Sequence, residues 1–277
     1  MPQFMNRQQR FAHPMVQRFF TAPLTAALTR LILVSLLTLG VIGRAPARAD
    51  SGLPPVPQRA IVVLADISAS VPLSLAASTR GLVQRSLAAA YSDGVLAQGI
   101  PATLVEWIKI GVDSYSPNDV VLRAWIPGVH AQPTNVFLAQ RARKQLAGII
   151  AGERRAQRAA LASLLRRLAA LRFQTEFGTD LEGGPLRASV DWQAIAGHHE
   201  LLIASDLLGA APQSDGVPWH MPDTSVDVFE YCSQSAVDNA TSCQHRQKIW
   251  TEALTRAGAS VAWYSSDNLE TVPALAL

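Results

Sequence analysis

Residues 60–65 read AIVVLA, six apolar side chains in succession, and residue 66 is an aspartate. A strand with one face in water alternates apolar and polar residues. An unbroken run rich in β-branched side chains has to be covered on both faces. This excludes a half-solvated antiparallel sheet for the segment and points to a parallel sheet between layers of helices. The rest of the chain alternates to match. Residues 73–92 read as a helix, and TLVEWIKIGV (103–112) with VVLRAWI (120–126) read as a strand pair around a Ser-Pro-Asn turn. HELLIASDLL (199–208) is a second buried strand and VDVFEY (226–231) another; a helix near 245–257 and SVAWYS (260–265) complete the pattern. The expected class is α/β: a three-layer, open, mostly parallel sheet with helices on both faces, one domain over 59–277.

That domain carries an insertion at about 135–173. Apolar residues recur there at helical spacing, Leu138, Ala142, Leu146, Ile149 and Ile150, then Leu161, Leu164, Leu165, Leu168 and Leu171. Gly148 and Gly152 suggest a bend and two helices. Arg141, Arg143, Lys144, Arg154, Arg155, Arg158, Arg166, Arg167 and Arg172 are opposed in the same span by Glu153 alone. Such a basic amphipathic segment either carries a solvated face over its apolar stripe or docks on an anionic membrane or acidic partner. The expectation is a docking arm outside the main core.

The amino end has the layout of an export signal over 1–49. Six arginines (Arg7, Arg10, Arg18, Arg30, Arg44 and Arg48) occur there with no Lys, Asp or Glu. The run LILVSLLTLGVIG at 31–43 is 13 residues long, short of the roughly 17–25 that span a bilayer. Ala47-Arg48-Ala49 fits a signal-peptidase site with cleavage before Asp50, leaving 228 residues that start with a Pro-rich linker at 50–58. Retention as an anchor is the alternative. Taking the six arginines from the 24 basic residues leaves 18 against 21 acidic ones, a net charge of −3, which argues against nucleic acid as a partner. Arginine greatly outnumbers Lys109, Lys144 and Lys248, in keeping with a GC-rich bacterial source, so the expected location is periplasmic or secreted. In an oxidising compartment Cys232 and Cys243 are expected to form a disulfide. The alternative is a zinc site with His245 as third ligand, for which the sequence offers no evident fourth. Asn239-Ala240-Thr241 matches a glycosylation sequon, relevant in a eukaryotic secretory pathway.

The chemistry-bearing residues are oxygens. The first strand ends in Asp66-Ile67-Ser68-Ala69-Ser70, and ligands of open parallel sheets bind outside the carboxyl ends of the strands. One carboxylate and two hydroxyls are hard donors suited to Mg²⁺ or Mn²⁺. Thr179 lies in FGTDL (177–181) ahead of a helix, and Asp206 closes the buried run LLIASD (201–206).

With DISAS (66–70), GTDLEGGPLRA (178–188), LLIASD (201–206) and WTEALTRAGA (250–259) in this order, the chain resembles the von Willebrand factor type A domain over roughly 59–267. The resemblance implies a metal-ion-dependent adhesion site on Asp66, Ser68, Ser70, Thr179 and Asp206. In that family the serine hydroxyls touch the metal and the carboxylates act largely through water. The threonine binds directly or through water, and an acidic side chain of a protein partner takes an open position. The chain departs from the family in having Leu207 and Leu208 where glycine commonly follows the second aspartate. A further departure is the separation of 113 positions from Asp66 to Thr179, lengthened by the basic insertion. The implied role is metal-dependent protein recognition at the cell envelope, without catalysis. No G-x-S-x-G, P-loop or H-E-x-x-H motif occurs. His198 and His199 open the strand that Asp206 closes and are expected to face solvent, away from the metal. The alternatives are a metal-dependent phosphoesterase and a metal-free structural module that keeps the fold.

Overall fold

The computed structural model describes residues 58–92, 99–131, 140–208, 219–232, 240–270 and 272–275. The signal segment 1–49, nearly all of the Pro-rich linker and the sequon's Asn239 lie outside them. Among the described residues no helix is long and apolar enough to cross a membrane.

Strand β1 (Gln58–Asp66) is followed by α1 (Leu73–Ala90), β2 (Ala102–Ile110), a 3₁₀ turn at Pro117–Asp119 and β3 (Val120–Ile126). Then come α2 (Gln140–Ala170), α3 (Gly183–Asp191), β4 (His199–Ser205), β5 (Thr224–Glu230), α4 (Ala240–Arg256) and β6 (Ala259–Ser265). The six strands form one mixed sheet in the order β3-β2-β1-β4-β5-β6. β3 runs antiparallel to β2 and every other neighbour is parallel. The class is α/β.

β1 lies in the interior of the sheet, which explains its composition. Ile61, Val63 and Ala65 belong to one apolar cluster with Leu82 and Leu87 of α1 and Leu164 and Leu168 of α2. Ala60, Val62 and Leu64 face the other cluster with Ala188 of α3 and Trp250 and Leu254 of α4. Both faces of the strand are therefore covered, and a polar side chain on either would be buried.

The insertion departs from expectation in two ways. α2 is one 31-residue helix, with no break at Gly148 or Gly152. An isolated glycine costs a helix only about 1 kcal/mol and does not by itself end it. Its apolar stripe also belongs to the main core. Ile150, Leu164 and Leu168 are at most 3% exposed, Phe173 stacks on Trp107 at 5.7 Å, and Gln157 Nε2 donates to the Pro127 carbonyl. The docking-arm reading is corrected for the carboxyl-terminal two-thirds of the helix. Its first turns, with Arg141, Arg143 and Lys144, are exposed.

Cys232 and Cys243 form a disulfide, Cα–Cα 6.2 Å. With the sulfurs bonded to each other no thiolates remain for zinc, and the further potential ligand grouped with them is Glu230 rather than the expected His245. Closing a loop of this size is expected to stabilise by about 2–3 kcal/mol. Urea midpoints with and without reductant should differ accordingly; identical midpoints would contradict it.

Candidate metal centre at the carboxyl ends of β1 and β4

Strand order reverses between β1 and β4, the position in an open sheet where a crevice forms beyond the strand ends. Asp66 ends β1 and Asp206 directly follows β4. Both are buried, at 0% and 1% exposure. Asp66 Oδ1 accepts the Ser68 N–H at 2.8 Å, which folds the chain back in a tight turn ahead of α1. Asp66 Oδ2 accepts the Ser205 hydroxyl at 2.6 Å, tying the two strand ends together. Ser68 Oγ lies 3.0 Å from Ser70 Oγ. Asp206 Oδ1 accepts the Leu208 N–H at 2.9 Å, while its Oδ2 is buried with no hydrogen-bond partner among the described residues. Leaving a buried carboxylate oxygen unsatisfied costs about 1–3 kcal/mol or more, and an ion or ordered water is the usual reason for such an atom.

Thr179 is half-buried in the loop before α3, and backbone bonds bring that loop to the same end of the sheet. The Glu176 N–H donates to the Ile67 carbonyl at 2.9 Å and the Asp180 N–H to the Gly111 carbonyl at 2.6 Å. Gly178 has φ +92°, a left-handed backbone that glycine adopts without strain. The three segments named from sequence thus meet in one loop cluster.

Two residues that sequence reasoning passed over hold this cluster. Ser205 donates to Asp66 and its oxygen also accepts the Leu207 N–H at 2.9 Å. Asp180 accepts the Ser114 N–H at 2.9 Å and the Gly183 N–H at 2.9 Å, fixing the turn that carries Thr179. A Cβ on Gly183 would come to 2.0 Å from Asp180 Oδ2 and 3.0 Å from the Tyr115 backbone nitrogen, so a side chain there would displace the carboxylate that holds the turn. Adjacency to the motif residues was the only available signal. Leu207 has φ +54°, a left-handed backbone that leucine seldom adopts. Its side chain is 2% exposed, and its burial in the apolar core offsets the backbone strain.

Burial pushes the Asp66 carboxyl above the usual carboxylate range; the Ser205 hydroxyl and the Ser68 N–H pull it partly back, and the charge of Asp206 raises it further. For an acid held high in the fold, the stabilising contribution is present at low pH and lost as pH rises through the raised value. Metal-free Asp66→Asn is therefore expected to be more stable than wild type at neutral pH, on the order of 1 kcal/mol, with the gap closing in acid. Melting curves from pH 4 to 8 in chelator check this, and an unchanged or lower Tm at pH 7 would contradict it.

His198 is exposed, as expected, but His199 is buried, 8% exposed and stacked on Trp192 at 4.9 Å, which corrects its expected solvent position. Neither is at the Asp66 end of the sheet.

No protein-family model matches the chain, and no curated protein matches it. Among solved structures, the pilus adhesin SpaC from Lactobacillus rhamnosus GG in its open conformation aligns at TM-score 0.43 and 12% identity, over 79% of this chain and 29% of the adhesin. Proximal thread matrix protein 1 from the mussel byssus aligns at TM-score 0.37 and 10% identity, over 78% of this chain and 46% of that one. The human COPII-coat protein Sec24c aligns at TM-score 0.36 and 15% identity, over 76% and 30%. This chain thus spans less than half the length of each, and likeness at this level carries no functional argument.

Proposed function

We propose that the chain is an exported von Willebrand type A-like domain, three layers around a mostly parallel sheet, that recognises a protein partner at the cell envelope through a divalent ion. Asp66, Ser68, Ser70, Thr179 and Asp206 would hold Mg²⁺ or Mn²⁺. The observation that carries the reading is the unpartnered, buried Oδ2 of Asp206 beside the buried Asp66 at the reversal of strand order. The donor set is all oxygen, as these ions require. Bound there, the ion would supply a positive centre for an acidic side chain of the partner. The surrounding rim offers apolar contact: Phe177 is 86%, Val112 72% and Tyr115 44% exposed. Exposed large side chains grouped at a site are a feature of protein-binding surfaces. Export is supported by the disulfide. The exposed cations at the start of α2 offer a second, anion-facing surface.

A metal-free structural module is the second reading. In its favour, both Asp66 oxygens already accept hydrogen bonds and the Ser68 and Ser70 hydroxyls pair with each other. Pulldown from envelope extract with Mg²⁺ and with chelator separates the two. The proposal expects a partner retained in Mg²⁺, released by chelator and weakened about tenfold by Phe177→Ala. Retention that ignores the metal would overturn it.

A further inference from the structure

At the end of the sheet away from Asp66 and Asp206, a cavity of about 460 Å³ opens over β4, β5 and β6. Its floor holds Glu200 and Asp227, 7% and 8% exposed. Leu202 of β4 is in register with Asp227 of β5, so Glu200 lies two residues earlier on the same face. Tyr264 of β6 lies beside Asp227 on the same face, and His198 Nε2 is 3.1 Å from Glu200 Oε2. Val272 and Leu275 of the carboxyl-terminal segment form an apolar wall. That wall is tied to α1 by the Leu275 N–H, which donates to Ser86 Oγ at 2.9 Å. Among the described residues no lysine or arginine lines the cavity. Arg59, whose charge reaches Glu200, donates through Nε to Thr103 Oγ1 at 3.0 Å and lies over the Tyr91 ring.

Two buried carboxylates on one face repel each other, and apolar residues of similar volume would make a more stable sheet. The cavity supplies no permanent positive charge against them. Its parts match one kind of ligand: acidic floor, phenol ring, and a wall that covers an alkyl chain. A bare divalent ion would need further oxygen ligands, which Val272 and Leu275 do not provide. We propose that the cavity over β4, β5 and β6 binds an organic cation, an ammonium or guanidinium carried on an aliphatic stem. Burial holds both carboxyls above their usual range, and the charge of Asp227 raises Glu200 further. A cation entering the cavity relieves that penalty. The site is independent of the metal centre, which lies beyond the other end of β4.

Calorimetry in chelator at pH 7.5 tests this with spermidine and arginine methyl ester as free cations and end-blocked Gly-Lys-Gly and Gly-Arg-Gly as peptide-borne ones. Saturable binding is expected for at least one probe, weakened about tenfold or more in Glu200→Gln and in Asp227→Asn, and unchanged in Asp206→Asn. Binding of free cations identifies a small-molecule site, and binding of peptides only identifies a pocket for a protein side chain; either supports the proposal. Ala274→Trp, at an exposed position of the cavity wall, blocks the cavity without altering its acids and is expected to abolish binding even if an acid variant misfolds. The proposal is overturned if no probe binds, if binding persists undiminished in the three cavity variants, or if Ca²⁺, titrated separately without chelator, binds there while no organic cation does.

Discussion

Deleting residues 135–173 and closing the gap with a short turn is expected to leave a chain that no longer unfolds cooperatively. The helix removed contributes Ile150, Leu164 and Leu168, each at most 3% exposed, and Leu161, Leu165, Leu171 and Phe173 pack against the same cluster. A fully buried Leu or Ile is worth about 1.5–3 kcal/mol of transfer free energy. Several such losses rival the total stability of an ordinary domain, about 5–15 kcal/mol. The deletion would also uncover Trp107, which is 1% exposed and stacked on Phe173. The graded form is Leu168→Ala, expected to lower stability by about 2–5 kcal/mol in urea titration. A deletion variant with a sharp melting transition and native near-ultraviolet dichroism would show that the helix is dispensable.

Replacing Arg123 by Met is expected to cost about 3 kcal/mol, far more than an exposed ion pair would suggest. Arg123 on β3 stands in register with Glu106 on β2, whose side chain is fully buried. Its Nε bonds Glu106 Oε1, and its Nη2 is 3.0 Å from Asp191 Oδ1; Asp191 in turn takes Arg187 Nε at 2.6 Å. Burial already pushes Glu106 above the usual carboxylate range, and the bond from Arg123 is the largest influence pulling it back. Without Arg123 a charged Glu106 would sit unpaired inside the sheet. For an acid raised in the fold, stability is kept at low pH and lost as pH rises through the raised value. The deficit of Arg123→Met should therefore be larger at pH 7 than at pH 4, and adding Glu106→Gln should recover most of it. Equal deficits at the two pH values would point to lost packing by the arginine stem instead.

How much of this was legible in the sequence depended on whether a residue's surroundings leave a pattern. AIVVLA revealed β1 because a strand covered on both faces tolerates no polar residue, and all six of those side chains are buried. β2 was harder to read, since Thr103, Glu106 and Lys109 interrupt it. Glu106 and Lys109 are accommodated by ion pairs with Arg123 and with Asp119 and Glu176, which spacing cannot reveal. In α2 the stripe from Leu161 to Leu171 was correctly read as helical. A stripe states only that something covers it, however, and the surrounding arginines suggested an external partner where the sheet itself provides the cover. At the candidate metal centre the three motif segments were legible. Ser205 and Asp180 were not, because a side chain that bonds neighbouring backbone carries no spacing of its own. Glu200 and Asp227 were read only as parts of buried strands; that they share a face across two strands depends on register.

The central claim is that Asp66, Ser68, Ser70, Thr179 and Asp206 hold a divalent ion, and direct titration of the purified protein with Mg²⁺ and Mn²⁺ by calorimetry tests it most directly. The account predicts saturable binding of one ion, with the same site accepting either metal. Melting should show a gain of about 2.7 kcal/mol at roughly 100 times the dissociation constant. Ser68→Ala/Ser70→Ala, which changes little volume, should fold and lose both the heat and the shift. No binding of either ion to the wild-type protein, with Tm unmoved by metal or chelator, would contradict it.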